Sequence, residues 1–348
     1  MEVFSATCRK QETYQVEIKY SALWECALGI AAITNTPLLD TLEKPRSYWI
    51  EQKESLSVEL CNHLDYVEKN NTWKALLQLL HQKDFLTIKE FTSYIQELSP
   101  TELKFICLPY IGKSQQALRE QAANKVKTAI KQLMELTQDN SFFPNYIAFI
   151  SHADAEQLKR HLICVMTGWY EEVVETELSN LTPILQTDAA TKEKMKTKMN
   201  PEELVEWATA GITYSPEPSV YKVLLIPQFI YRPWNIAADI EGAKVYYYPV
   251  SNESVFSADK YMPNNFLVAK YKALGDEMRL RIVKLLFESS RTLQEITDQL
   301  DLGKSTVHHH LKMLRSAQLV EIRNARYVLK KEAINVLAKE LDLYLHLR

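Results

Sequence analysis

Leu302–Gln318, LGKSTVHHHLKMLRSAQ, is the stretch that decides how the carboxy-terminal part of this chain is read. In a helix, Val307, Leu311 and Leu314 fall at i, i+4 and i+7, a single apolar stripe suited to a core. At about 100° per residue, Ser305, His309, Lys312 and Ser316 lie on the opposite side, with His308 on its flank. That outer face has few aliphatic groups, is short-armed near its start and is rich in hydrogen-bond donors. Such a face suits the major groove of DNA, where base edges offer acceptors and phosphates flank them.

The surroundings of this stretch parse into a small domain. A helix over about 266–274 is expected to end at Gly275 in a left-handed cap. Asp276 is placed to cap the next helix, whose Leu280, Ile282, Val283 and Leu286 supply core. Thr292-Leu-Gln-Glu295 has the form of a capping box and opens a third helix, with Leu293, Ile296 and Leu300 on one face. The turn Asp301-Leu-Gly303 then leads into the opening stretch and completes a helix-turn-helix. Downstream, Val320/Ile322 and Tyr327/Leu329 alternate about Asn324-Ala325, which predicts a two-stranded wing carrying Arg323, Arg326 and Lys330. A last helix places Ile334, Leu337, Ala338, Leu341 and Leu345 at i, i+3, i+4, i+7 and i+11.

Charge follows the same boundary. The net charge of −3 hides an excess of about +5 from Leu267 onward against about −8 before it. Between Lys304 and Lys331 about seven basic residues face the single acid Glu321. Positive charge concentrated on a recognition element is what counterion release on a phosphate backbone would use. An ordinary solvated basic face is the plainer reading, and the coincidence of charge and motif weighs against it.

With these elements in place, KALGDEMRLRIVKLL (272–286), LQEITDQL (293–300), STVHHHLKML (305–314) and the basic wing together resemble the winged helix of the ArsR/SmtB family of bacterial transcription regulators. The resemblance covers about the last quarter of the chain. It implies a homodimer formed through the first and last helices of this domain, docked on a near-palindromic operator in double-stranded DNA. Most members of the family are repressors released by an inducer. Carried over by position, Ser305, Thr306, His308 and His309 would meet bases or nearby phosphates, and Lys304, Lys312, Arg323 and Arg326 the backbone. Two departures stand out: Gln318 where the family usually has Gly after the recognition helix, and a wing tip without its frequent Gly. The Cys pair of the metal-sensing members is missing from 293–300, no Cys follows Cys164, and only His346 stands near the end of the last helix, so no metal is expected at either familiar site.

The three consecutive histidines diverge by about 100° each and cannot converge on one ion. His310 lies nearest the apolar stripe and is expected to pack partly buried with a local hydrogen bond. In the preceding region His161 and Cys164 are one helical turn apart, two ligand types without a third; a buried Cys and a surface His are the default expectation there.

A chain of 348 residues, 46% hydrophobic and 24% charged, is long enough for two or three soluble domains. The fold class read here is mainly α (α+β). A large N-terminal domain (1–260, mostly helical to about 200, with a small sheet over about 205–250) precedes the winged helix-turn-helix domain (266–348). Strands are expected over 13–20, Ile212–Tyr214, Tyr221–Leu225 and Lys244–Val250. The clearer helical segments are Ser47–Asn70, Thr72–Gln82, Thr87–Leu98 and Lys113–Gln138. Residues 188–202 read as a mobile connection or an exposed helix end, and the polar stretch Ser251–Lys260, followed by Pro263, as a domain boundary. Cys8, Cys26, Cys61, Cys107 and Cys164 are scattered and odd in number, which points to reduced thiols and a cytoplasmic protein. No secretory signal is expected from MEVFSATCRKQE, and no membrane span from Ala22–Ile33, which Glu25 interrupts.

The large domain is more than DNA binding needs, so sensing or dimerisation is expected of it. Tyr221, Phe229, Tyr231 and Trp234 are the candidates for lining a pocket for a small apolar or aromatic inducer; half-buried strand residues packing on helices are the competing reading. Seven dispersed glycines give no phosphate-cradling loop, and neither G-x-S-x-G nor H-E-x-x-H occurs, so no catalytic residues and no cofactor are assigned. The expected function is a sequence-specific DNA-binding regulator, a homodimeric repressor released by an inducer. The alternative is a constitutive or architectural DNA-binding protein whose large domain only dimerises or contacts other proteins.

Overall fold

The computed structural model describes residues 14–256, 259 and 261–346. Cys8, Thr13 at the start of the expected first strand, and Ser257, Ala258 and Lys260 of the polar stretch lie outside them. The fold is mainly α with few strands, and no helix among the described residues is long and apolar enough to cross a membrane. Backbone contacts divide the chain into two units. One takes residues 17–189 and 218–249; the other takes the described residues up to Val16, 190–217 and those from 250 onward.

A four-stranded sheet has the order β1-β2-β4-β3, with β1 (Gln15–Ile18), β2 (Lys222–Gln228), β3 (Ile236–Ile240) and β4 (Ala243–Pro249); β2, β3 and β4 belong to the first unit. β2 and β4 pair in parallel and β3 runs antiparallel to β4. Tyr247 and Tyr248 are adjacent and both fully buried, so both faces of β4 are covered. That is why the aromatic run does not alternate as a half-exposed strand would. β3 was not anticipated, although Ile236-Ala-Ala-Asp-Ile240 has strand length between Asn235 and Gly242.

Helix α1 (Ala22–Ile33) is buried from Leu23 to Ile33 and is the central helix of this unit; Ser21 caps its start. The remaining elements used below are α2 (Val58–Asn70), α3 (Trp73–Leu80) and α4 (Ala155–Trp169). A π-helical turn, Tyr170–Val174, joins α4 to α5 (Glu175–Met195). Two expected helices are broken. Ser47–Asn70 splits at Leu56-Ser57, because the Ser57 side chain caps α2 by accepting from the Leu60 N–H. Lys113–Gln138 splits at 124–126, where Lys125 takes a left-handed conformation. Ile212–Tyr214 is not a strand: the Ile212 N–H donates to the Thr209 hydroxyl and closes a turn.

In the second unit, α6 (Pro201–Ala208) opens with a capping box between Asn200 and Glu203. Of the two readings for 188–202, the helix end is the one found: α5 stops at Met195 with Glu193, Lys194, Lys196, Thr197 and Lys198 exposed, while Met195 and Met199 are buried. The winged helix follows as α7 (Asn265–Leu274), α8 (Glu277–Glu288), α9 (Leu293–Leu300), α10 (Lys304–Ser316), a hairpin of β5 (Val320–Arg323) and β6 (Arg326–Leu329), α11 (Lys331–Asn335) and α12 (Leu337–His346). Ile282, Leu286, Ile296, Val307, Leu311 and Leu314 share one core. Asp276 caps α8 and Thr292/Glu295 box α9, as expected. Gly275 has φ −76°, so it is not the left-handed cap anticipated. The last helix is interrupted at Val336, which divides α11 from α12.

Candidate nucleic-acid interface

Burial of Val307, Leu311 and Leu314 turns one face of α10 inward and leaves Lys304, Ser305, Thr306, His308, His309 and Lys312 exposed on the rest. Arg315, which periodicity alone did not single out, is exposed on the same helix. Lys304, Lys312 and Arg315 have no ion pair among the described residues, so their charges face solvent unneutralised. Gly303 occupies the N-cap and offers no side-chain acceptor. The first-turn N–H groups of α10 therefore keep their capacity to donate to an anion, phosphate included.

His310 is partly buried as expected, but it makes no local hydrogen bond: its Nδ1 lies 3.8 Å from the Asp276 carboxylate. That carboxylate already accepts from the Arg279 N–H at 2.9 Å, which holds it below the usual carboxylate range. The three histidines thus separate into two outward rings and one inward ring.

The helix ends in a Schellman motif. The Leu319 N–H donates to the Leu314 carbonyl at 3.0 Å and the Gln318 N–H to the Arg315 carbonyl at 3.0 Å. Gln318 sits at φ 58°, the left-handed conformation that glycine would supply, so the departure changes the residue and not the cap. Its Cβ closely faces Gly211, whose φ of +126° and proximity to Gln318 and Lys330 leave no room for a side chain.

The wing turns through Asn324 and Ala325, both with positive φ (50° and 60°), as a two-residue hairpin of the I′ kind requires. Arg291 pairs with Tyr327 of β6 through a single isolated antiparallel bridge. Its basic residues differ from expectation in what they touch. Arg323 is exposed and pairs with Glu321 at 2.5 Å. Arg326 donates to the Ser290 carbonyl at 2.8 Å and to Glu295 at 2.7 Å, tying the wing to the start of α9. The Thr292 N–H and Arg326 together hold the Glu295 carboxyl below its usual range. Lys330 is buried and points inward, 3.8 Å from the buried Glu206 of α6. Desolvation pushes Lys330 down and Glu206 up from their ordinary values.

Of the four aromatic residues expected to line a ligand pocket, Tyr221 is set apart from the other three. Tyr221 precedes β2, is 69% exposed and borders a cleft with Lys222 and Glu241. Phe229, Tyr231 and Trp234 follow the far end of β2. There Glu25 accepts hydrogen bonds from the Phe229 and Ile230 N–H groups, Tyr231 is buried, and the Trp234 indole donates to Thr41.

Residues 276–321 match the family described as "Bacterial regulatory protein, arsR family". The chain is also 43% identical, over 54 residues, to an uncharacterized HTH-type transcriptional regulator of Methanocaldococcus jannaschii. The match covers 15% of this chain and 61% of that protein's length. No solved structure matches the chain.

Proposed function

We propose that this chain, which carries an ArsR-type helix-turn-helix domain at residues 276–321, is a sequence-specific DNA-binding transcription regulator. It works as a homodimer on a near-palindromic operator in the cytoplasm, and it represses until a small molecule binds within residues 1–260. The observation that carries the DNA-binding reading is the exposed face of α10: Ser305, Thr306, His308 and His309 offer short and medium-length donors, flanked by unpaired Lys304 and Lys312. In the groove the short side chains and imidazoles reach base edges, and the lysines with the uncapped helix start hold phosphates and fix register. Arg323 at the wing tip meets backbone beyond the groove. Arg326, engaged with Glu295, supports the wing's position and reaches phosphate only by exchanging that partner.

The dimer reading draws on α7 and α12. Their buried pair Lys270–Glu340 (2.6 Å) locks the two helices together, while Tyr271 and Leu345 (66% exposed) stay outward as unpartnered apolar surface. The alternative, constitutive binding with a large region that only dimerises or contacts proteins, is favoured by the separation of Tyr221 from Phe229, Tyr231 and Trp234.

The test of both parts is a thermal-shift screen of small apolar and aromatic compounds on the full chain, followed by gel shift of each hit on a duplex selected by the protein. Specific retardation of that duplex supports the regulator. A compound that both raises Tm and weakens retardation supports the inducer; specific retardation that no compound alters favours the constitutive alternative.

A further inference from the structure

We propose that Glu59, His63 and Cys164 form a binding site for one divalent transition-metal ion of the zinc class, in the unit that lacks the helix-turn-helix. A Glu59 carboxylate oxygen, a ring nitrogen of His63 and the Cys164 Sγ lie within 4.8 Å of one another. Sequence spacing had paired Cys164 with His161 instead, and the structure reverses the exposure expected there. His161 is buried, whereas Cys164 is partly exposed on a cleft of about 300 Å3.

Local structure explains the convergence. Glu59 and His63 are i and i+4 on α2, so they share one face. Gly168 lets α4 approach that face closely: a Cβ there would stand 3.2 Å from Leu60 Cδ1. Cys164, one turn earlier on α4, is thereby brought opposite His63. The π-helical turn that follows carries Glu171 and Glu172 to the rim of the same cleft. Glu172 is engaged there by the Ser57 N–H at 2.8 Å and hydroxyl at 2.7 Å, which fixes the start of α2 beside the site.

A second layer of residues orients the ligand histidine. His63 Nδ1 is 3.0 Å from His161 Nδ1, and His161 Nε2 is 2.8 Å from the Thr72 hydroxyl. When His63 Nδ1–H donates to His161, whose Nε2–H in turn donates to Thr72, the lone pair of His63 Nε2 is free for a metal. Metal-bound histidines are oriented through their other ring N–H, most often by a carboxylate, a backbone carbonyl or water, and here a second imidazole takes that place. His161 is thus a positioning residue, held in place by burial and by the Tyr66 ring at 4.4 Å.

The donor set selects the ion. Thiolate, imidazole and carboxylate together suit zinc-class metals, whereas magnesium and calcium take oxygen ligands. Thiolate and carboxylate neutralise a divalent charge. Tetrahedral bonds of about 2.0–2.3 Å require the ligands to contract modestly, with water from the cleft in the fourth position. Binding converts the Cys164 thiol to a metal-bound thiolate and releases its proton to solvent.

The test is Co(II) titration of the chelator-treated full chain, read by absorption and requiring no DNA, so its failure leaves the regulator reading untouched. The expected result is a thiolate-to-cobalt charge-transfer band saturating at one equivalent and abolished by added Zn(II). Cys164→Ser should lose the band at unchanged far-ultraviolet circular dichroism. The exposed Glu59→Gln should keep it at weaker affinity, and His161→Asn should weaken affinity by about 10–100-fold. No band, or one that persists in Cys164→Ser, overturns the proposal.

Discussion

α10 and the wing carry the same sequence signal, basic residues on a short element, and hold their charges in opposite ways. On α10, Lys304, Lys312 and Arg315 are exposed and unpaired among the described residues. On the hairpin, Arg326 is engaged by Glu295 and Ser290 although its side chain is 39% exposed, Lys330 just after it is buried toward Glu206, and Arg323 lies at the surface against its neighbour Glu321. The charge excess of 304–331 therefore overstates what a DNA backbone would meet. One element presents cations outward, and the other uses most of its cations to hold itself in place.

The sharpest way to break this contrast is at the buried pair. Glu206→Ala leaves Lys330 buried without its partner and should cost about 3–5 kcal/mol, read by thermal or urea unfolding. An unchanged midpoint would mean that Lys330 swings out to solvent and belongs with the outward set. Leu311→Ala, beneath the exposed face of α10, should cost roughly 2–5 kcal/mol through the cavity it leaves. Retained stability with lost DNA binding would contradict its place in the core. His309→Ala should lower affinity by about 1–3 kcal/mol at one operator position and leave the others alone, as measured on duplexes varied one base pair at a time. Equal losses at every position would remove it from the base-reading set.

Salt dependence sharpens the comparison further. Lys312→Ala should flatten the slope of log K against log salt by about one unit. Arg326→Ala should leave the slope nearly unchanged and lower Tm instead; the opposite pattern would exchange the two roles. The smallest effect is expected at the wing tip. Ala325→Gly relieves a left-handed alanine and should change stability by at most about 1 kcal/mol, because relief of strain is offset by a freer unfolded chain.

Much of the second unit was legible because its signals are local. The capping box of Thr292 and Glu295, the N-cap Asp276 and the stripe Val307/Leu311/Leu314 act within four to seven residues, and each is found where the pattern put it. The wing hairpin was legible from alternation, but the destinations of Arg326 and Lys330 depend on Ser290, Glu295 and Glu206, which sequence spacing does not bring near. Gln318 and Ala325 took the conformations expected of glycine, so the departures from the family pattern did not alter the backbone. The sheet unit was harder to read. Its central parallel strands are buried on both faces and lose the period-2 signal, and Glu59, His63 and Cys164 meet only through the packing of α2 on α4. Tyr221 stands at the opposite end of β2 from Phe229, Tyr231 and Trp234, a separation that proximity in sequence does not reveal.

The central claim is that the outer face of α10 reads base pairs, and selection from a random duplex library by the full chain tests it most directly. The account predicts enrichment of a near-palindrome with half-sites about 10–10.5 base pairs apart, centre to centre. The same selection with His309→Ala should lose preference at one position in each half-site. No enriched sequence, or an identical motif from the variant, would contradict it.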